Sequence, residues 1–273
     1  MWGNHRVKAD TVVVLDFETT GLSPDAGDRA IEIGAVRLES GEVVDRFQAL
    51  MNPGQRVSGF IEDYTGITNT MLANSDHSAK VMHQFADFIE GHNLVAHNAS
   101  FDKRFLDAEL ARISRSYSGD FSCSLLASRR IYQQAPNHQL GTLIKYTGIT
   151  STGDFHRALY DSEMTVKLWL HLLATINDRY PIKNISFATI QQLNRTPKKS
   201  VEQWLARQSE GAPKKTFKNR RLKSLCDVIY SFFCSGLIVQ PILNESVPKP
   251  ILTKHEVLAV KVQSVITENL FNR

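Results

Sequence analysis

Two hydrophobic periods alternate along this chain, and the switches between them predict its elements. The run Thr11-Val12-Val13-Val14-Leu15 is short, β-branched and bounded by turn residues, which predicts a buried strand. Residues 30–38 and 43–50 read as two more strands joined by the turn Glu39-Ser40-Gly41-Glu42. Asn93-Leu94-Val95-Ala96 and Phe121-Ser122-Cys123 bring the number to five. Helical spacing takes over near 78–90, 100–112, 124–134 and 157–175. In the second helix Phe101, Phe105, Leu106 and Leu110 recur on one face, with Ser100 as its expected N-cap. In the last, Leu159, Met164, Val166, Leu168, Leu170 and Leu172 or Leu173 form the inward stripe. Strands that first meander and then alternate with helices imply an α/β fold, a mixed five-stranded sheet flanked by helices.

Beyond Tyr180-Pro181 the pattern changes. Ser200-Val201-Glu202-Gln203 reads as a capping box opening a short helix with Trp204 and Leu205 on one face, and Glu210-Gly211-Ala212-Pro213-Lys214-Lys215 reads as a linker. Leu222, Leu225, Ile229 and Phe232 keep helical spacing, and Thr253-Lys254-His255-Glu256 is a further capping box. The expected organisation is therefore a domain over 1–178 and a small helical accessory module over 179–273.

Charge sharpens that division. The net +4 of the 273 residues splits into −6 for 1–178, with 16 Lys+Arg against 22 Asp+Glu, and +10 for 179–273, with 16 against 6. The 42% hydrophobic content suits a chain that buries a core, no apolar run reaches eighteen residues, and the first residues lack a signal-peptide core. A cytoplasmic protein with no membrane partner is the expectation. Cys123, Cys226 and Cys234 lack zinc-site spacing and read as reduced thiols.

The candidate chemistry lies in three islands: Asp16-Phe17-Glu18-Thr19-Thr20-Gly21, His97-Asn98-Ala99-Ser100-Phe101-Asp102 and His156-Arg157-Ala158-Leu159-Tyr160-Asp161. Asp16 and Glu18 are two residues apart at a strand end, so both carboxylates emerge on one face. Asp102 would project from the first turn of a helix that begins where a strand stops, and Asp161 from the first turn of the last helix. His156 precedes that helix in a glycine-containing loop and could swing toward a reacting water. Hard oxygen ligands with a histidine beside them are what divalent cations and an activated water need to hydrolyse a phosphodiester.

The order of the islands resembles the DEDDh exonucleases, the family that includes the epsilon proofreading subunit of bacterial DNA polymerase III, stand-alone repair exonucleases and oligoribonuclease. The resemblance covers roughly residues 10–178. It implies a ribonuclease H-like fold, with Asp16, Glu18, Asp102 and Asp161 as the four metal-binding acids and His156 as the general base. The related subclass carries tyrosine four residues before the last aspartate, where this chain has Arg157. Two Mg2+ ions, replaceable by Mn2+, are implied, with Asp16 bridging them, Glu18 and Asp161 on the ion that carries the water, and Asp102 on the other. Thr19, Thr20, Gly21 and Leu22 would meet the terminal nucleotide, with His97, Asn98 and Phe101 in the same cleft. Leu22 and Phe101 read equally as core residues, and His97 reads as hydrogen-bonded rather than ligating. Segment 57–73, with Phe60, Ile61, Tyr64 and Ile67, resembles the short helical stretch these enzymes place beneath the cleft.

The activity that the resemblance implies is metal-dependent removal of 5′-mononucleotides from the 3′ end of DNA. The alternatives are an exoribonuclease acting on RNA ends and a non-catalytic nucleic-acid-binding or polymerase-docking subunit. The cluster Lys214, Lys215, Lys218, Arg220, Arg221 and Lys223 could hold single-stranded nucleic acid, offsetting the acidity of the first domain, or could be plain solvated surface. The apolar helices beyond 220 could dock a polymerase or another protein.

Overall fold

β-branched and aliphatic residues buried on both faces make β1 (Val12–Thr19) the centre of the sheet. The computed structural model describes residues 7–209, except 152, 154, 155 and 183. β2 (Ala30–Glu39) and β3 (Glu42–Leu50) continue as an antiparallel meander turned by Ser40 and Gly41, both at positive φ. The short helices α1 (Gly59–Thr65) and α2 (Asn69–Ala73) and the longer α3 (Ser78–Phe88) follow. The chain then alternates: β4 (Leu94–Ala96), α4 (Ala99–Arg112), β5 (Phe121–Cys123), α5 (Ser124–Ile131). The remaining helices are α6 (Leu140–Tyr146), α7 (Ala158–Arg179), α8 (Phe187–Arg195) and α9 (Val201–Gln208). Strand order is β3-β2-β1-β4-β5, with β4 and β5 parallel to β1. This is the expected mixed sheet of five strands.

The period of two along β1 divides the interior. Val13, Leu15 and Phe17 face one core with Phe85, Phe105, Leu106 and Leu110 from α3 and α4. Val12 and Val14 face the other, with Leu168, Trp169, Leu172 and Ile176 of α7. Trp169, outside the expected stripe, is fully buried, and its indole N–H donates to the Ala9 carbonyl at 2.8 Å.

Several expectations change in the folded chain. β1 does not end at Leu15: Asp16 pairs with Gly34 and Glu18 with Glu32, so the acids stand within a paired strand. The N-cap of α4 is Asn98 rather than Ser100; it sits at φ 74, a left-handed conformation asparagine tolerates. Ser200 precedes α9 but makes no side-chain cap, because a 3-10 turn over Lys198–Ser200 already holds it in helical backbone geometry. α6 and α8 had no counterpart in the sequence pattern. The boundary expected at 178 falls inside α7, and Ile185, Phe187, Ile190, Leu193, Val201 and Leu205 join the same buried cluster as Val12 and Leu168. α8 also covers edge strand β5: Gln191 donates to the Phe121 carbonyl at 3.1 Å and Asn194 to the Ser122 hydroxyl at 3.0 Å. The basic cluster from Lys214 to Lys223 and the helical patterns beyond it lie outside the described residues.

Candidate active site

Asp16 and Glu18 point to the α7 side of β1, the same side as Val12 and Val14, because all four share parity along the strand. α7 begins over this face and carries Asp161 one turn from its start. Ligand oxygens of Asp16, Glu18 and Asp161 all lie within 4.8 Å of one another. Asp102 reaches the site from the other layer. The amide of Val13 donates to Asn93, but β1 outruns the short β4, and the Phe17 amide donates instead to the Asp102 carboxylate at 3.2 Å. Asp102 is buried and acts on Asp16 as a neighbouring negative charge.

Burial and mutual repulsion push the acids upward. Desolvation is the largest cause throughout, raising Glu18 to about 8, Asp102 to about 7 and Asp161 to about 6. Asp16 rises well above the ordinary carboxylate range through burial and then the charges of Asp102, Asp161, Glu18 and Glu32. At an effective dielectric near 20, two ionised carboxylates at the spacing of the Asp16–Glu18–Asp161 cluster repel by on the order of 3 kcal/mol. One oxygen of Asp161 accepts the His156 amide at 3.1 Å, while its other oxygen, Oδ1, is buried without a donor among the described residues. Convergent carboxylates with an unsatisfied buried oxygen fit a divalent cation, which would offset the repulsion and complete that oxygen's coordination.

His156 sits at φ 75, and its ring lies 4.3 Å, centroid to centroid, from that of Tyr64 on α1. Burial lowers its pKa below the ordinary histidine value, favouring the neutral form that accepts protons. Tyr64 was expected only as part of a helical stretch under the cleft. It stacks on Phe60 and is pushed up to about 12 by burial and by Glu18, Asp161 and Asp16, so it stands at the acid cluster. No spacing in the sequence marked it. A fifth acid, Glu32, was also missed, although a lone charge amid Ala30-Ile31-Glu32-Ile33 is the kind of anomaly that flags a special site.

The residues expected to hold substrate are arranged unevenly. Leu22 is 50% exposed beside the loop that follows β1. Thr19 donates its hydroxyl to the Gly21 carbonyl at 2.6 Å, and the Thr20 hydroxyl faces Asp28 and the Arg29 amide, so both are occupied in building the turn. A β-carbon at Gly21 would stand 2.4 Å from the Asp28 carboxylate, so a larger residue there would push that side chain off its bonds to Thr20 and Ser23. Asn98 stands at the N-cap position of α4 without a side-chain capping bond, and Phe101 packs on Phe105 against the core at 5.0 Å. His97 brings no free ring nitrogen to the cleft: one meets the Ser124 hydroxyl and the other the His138 carbonyl, each at 2.9 Å, and burial lowers its pKa to about 4. It ties the end of β4 to α5 and the 138 loop.

Comparison with known proteins agrees with this geometry. The family model described as Exonuclease (RNase_T) matches residues 13–169, more than half of the chain. DNA polymerase III PolC-type proteins of Bacillus cereus and Bacillus subtilis are 37% and 39% identical over 177 and 173 residues, 64% and 62% of this chain. The matched segment spans 12% of each of those relatives. Among solved structures, Exonuclease X in complex with 5′ overhanging duplex DNA aligns with TM-score 0.53 and 24% identity, covering 67% of this chain and 99% of that one. The nuclease domain of 3′hExo, a DEDDh family member bound to rAMP, aligns with TM-score 0.53 and 21% identity over 60% of this chain and 92% of that one. The E. coli ExoI–ssDNA complex aligns with TM-score 0.55 and 20% identity over 63% and 41%. These likenesses show the ribonuclease H-like fold. The family model, which matches more than half of the residues, establishes that the chain belongs to the exonuclease family.

Proposed function

We propose that this chain is a divalent-metal-dependent 3′-to-5′ exonuclease that releases 5′-mononucleotides, with DNA as its substrate. The observation that carries the reading is the convergence of Asp16, Glu18 and Asp161, with one buried Asp161 oxygen lacking a donor. Asp16, Glu18 and Asp161 would hold divalent cations, magnesium or manganese, with Asp102 completing the set. When bound, such ions neutralise charge on the scissile phosphate and make an attacking water more acidic.

The protein's own groups do the rest. Burial keeps the His156 imidazole neutral at physiological pH, so it can take the proton of the attacking water. The bond between its backbone amide and Asp161 keeps the histidine loop beside the acids, and the Tyr64 ring backs the imidazole. Leu22, exposed on the loop after β1, supplies an apolar edge on which a base can rest. DNA is favoured over RNA because the PolC-type relatives are DNA polymerases. By the same relation, a polymerase is the proposed protein partner.

End-labelled single-stranded, duplex and mismatched DNA, and RNA, incubated with and without magnesium, test the reading. A magnesium-dependent ladder shortening from the 3′ end, faster on DNA than on RNA, is expected. A faster RNA ladder would make the protein an exoribonuclease, and no hydrolysis of any substrate would leave a binding subunit.

A further inference from the structure

The acid opposite Glu18 belongs to no metal cluster, yet it is one of the most elaborately bonded side chains in the described residues. Glu32 is fully buried on β2, in register with Glu18 and on the same face of the sheet. Its two oxygens accept from Arg157 Nε at 3.1 Å, the other Arg157 fork nitrogen at 2.8 Å, the Ala158 amide at 3.1 Å and the Gln48 amide at 3.0 Å. Arg157 and Ala158 are the residue before α7 and its first residue. The first turn also rests directly on β2, where the Ser162 hydroxyl donates to the Gly34 carbonyl at 2.9 Å.

We propose that Glu32 and Arg157 form a positioning pair, which fixes the start of α7 against β2 and so sets where Asp161 and His156 stand relative to Asp16 and Glu18. The inference rests on the exonuclease reading above and extends it to two residues outside the four acids and the histidine. Every partner of Glu32 is a donor, so only a carboxylate satisfies them all; a glutamine would turn its NH2 group toward another donor. The guanidinium matters as a fork: two nitrogens meet both carboxylate oxygens, which a lysine cannot reproduce. His156 and Asp161 flank Arg157, one immediately before it and the other one helical turn after it. Rotation of the helix start moves both, and misplacement by about 1 Å can cost about a hundred-fold in rate.

Arg157→Lys and Glu32→Gln in the full chain test this. Arg157→Lys preserves charge, so its effect reports geometry: kcat on single-stranded DNA should fall by about ten-fold or more, calorimetric Mn2+ affinity should weaken as Asp161 shifts from Asp16 and Glu18, and KM should change less than about three-fold. Glu32→Gln also removes a negative charge beside the cluster, so Mn2+ affinity should fall along with kcat. Thermal midpoints are read in parallel. Should Glu32→Gln fail to fold, Arg157→Lys, whose side chain is 43% exposed, still decides the matter. A lowered midpoint with kcat unchanged in Arg157→Lys would make the pair purely structural and overturn the proposal, as would a change confined to KM. Inactivity of the wild-type protein on every substrate would instead defeat the exonuclease reading, while Mn2+ binding would still report on Glu32.

Discussion

Gly34 lies opposite Asp16, and a β-carbon placed on it would stand 2.1 Å from the Leu159 nitrogen and 2.2 Å from the Ala158 carbonyl carbon. These are backbone atoms of α7, so no side chain can rotate aside. Ordinary contact begins near 3.4 Å; α7 must therefore recede by roughly 3.4 − 2.1, or about 1.3 Å, in a Gly34→Ala protein. Asp161 moves with the helix. A displacement of that size should lower kcat about a hundred-fold, while overpacking removes about 1–3 kcal/mol of stability. Single-turnover hydrolysis of end-labelled single-stranded DNA, with protein in excess and melting curves alongside, separates the two effects. A rate within about three-fold of wild type would refute the claim that close apposition of α7 and β2 fixes the acid geometry.

Asp16→Ala and Asp161→Ala should abolish hydrolysis. His156→Ala should keep Mn2+ affinity but slow turnover by about a hundred-fold or more and remove an acid limb of kcat/KM lying below pH ~6.5; unchanged turnover would remove the base assignment. In chelator, the raised carboxylates Glu18, Asp102 and Asp161 hold protons in the folded protein that the unfolded chain has released. The folded state then binds more protons, so the melting midpoint should fall between about pH 5.5 and pH 8, with magnesium restoring it at the upper end; a rise with pH in chelator would contradict this. Truncation after residue 178 should unfold the protein, because Phe187, Ile190, Leu193, Val201 and Leu205 are buried in the core and each contributes about 1.5–3 kcal/mol, together comparable with a whole domain's stability. Truncation after residue 209 should keep the fold but weaken single-strand binding and flatten its salt dependence, as checked by titration at several salt concentrations.

The strands and the principal helices were legible because their signals are local. Short apolar runs bounded by turn residues gave all five strands, with β5 at its observed bounds, and the three islands named acids that the fold brings to one region. Local pattern could not show that β1 continues through Asp16 to Thr19, because that stretch is held by its pairing with β2 rather than by its own composition. Nor could it mark α8 as structural: Phe187, Ile190 and Leu193 become core only when α8 closes over the edge of β5.

The site divides in the same way. The order of the three islands, read through their resemblance to a known family, supplied four carboxylates and a histidine as the expected site. Tertiary structure alone decided that His97 is occupied, that Tyr64 backs His156, and that Glu32 and Arg157 clamp the helix start. These roles depend on distances between segments far apart in the chain, and side-chain chemistry read along a sequence carries no such distances until the sheet brings them together.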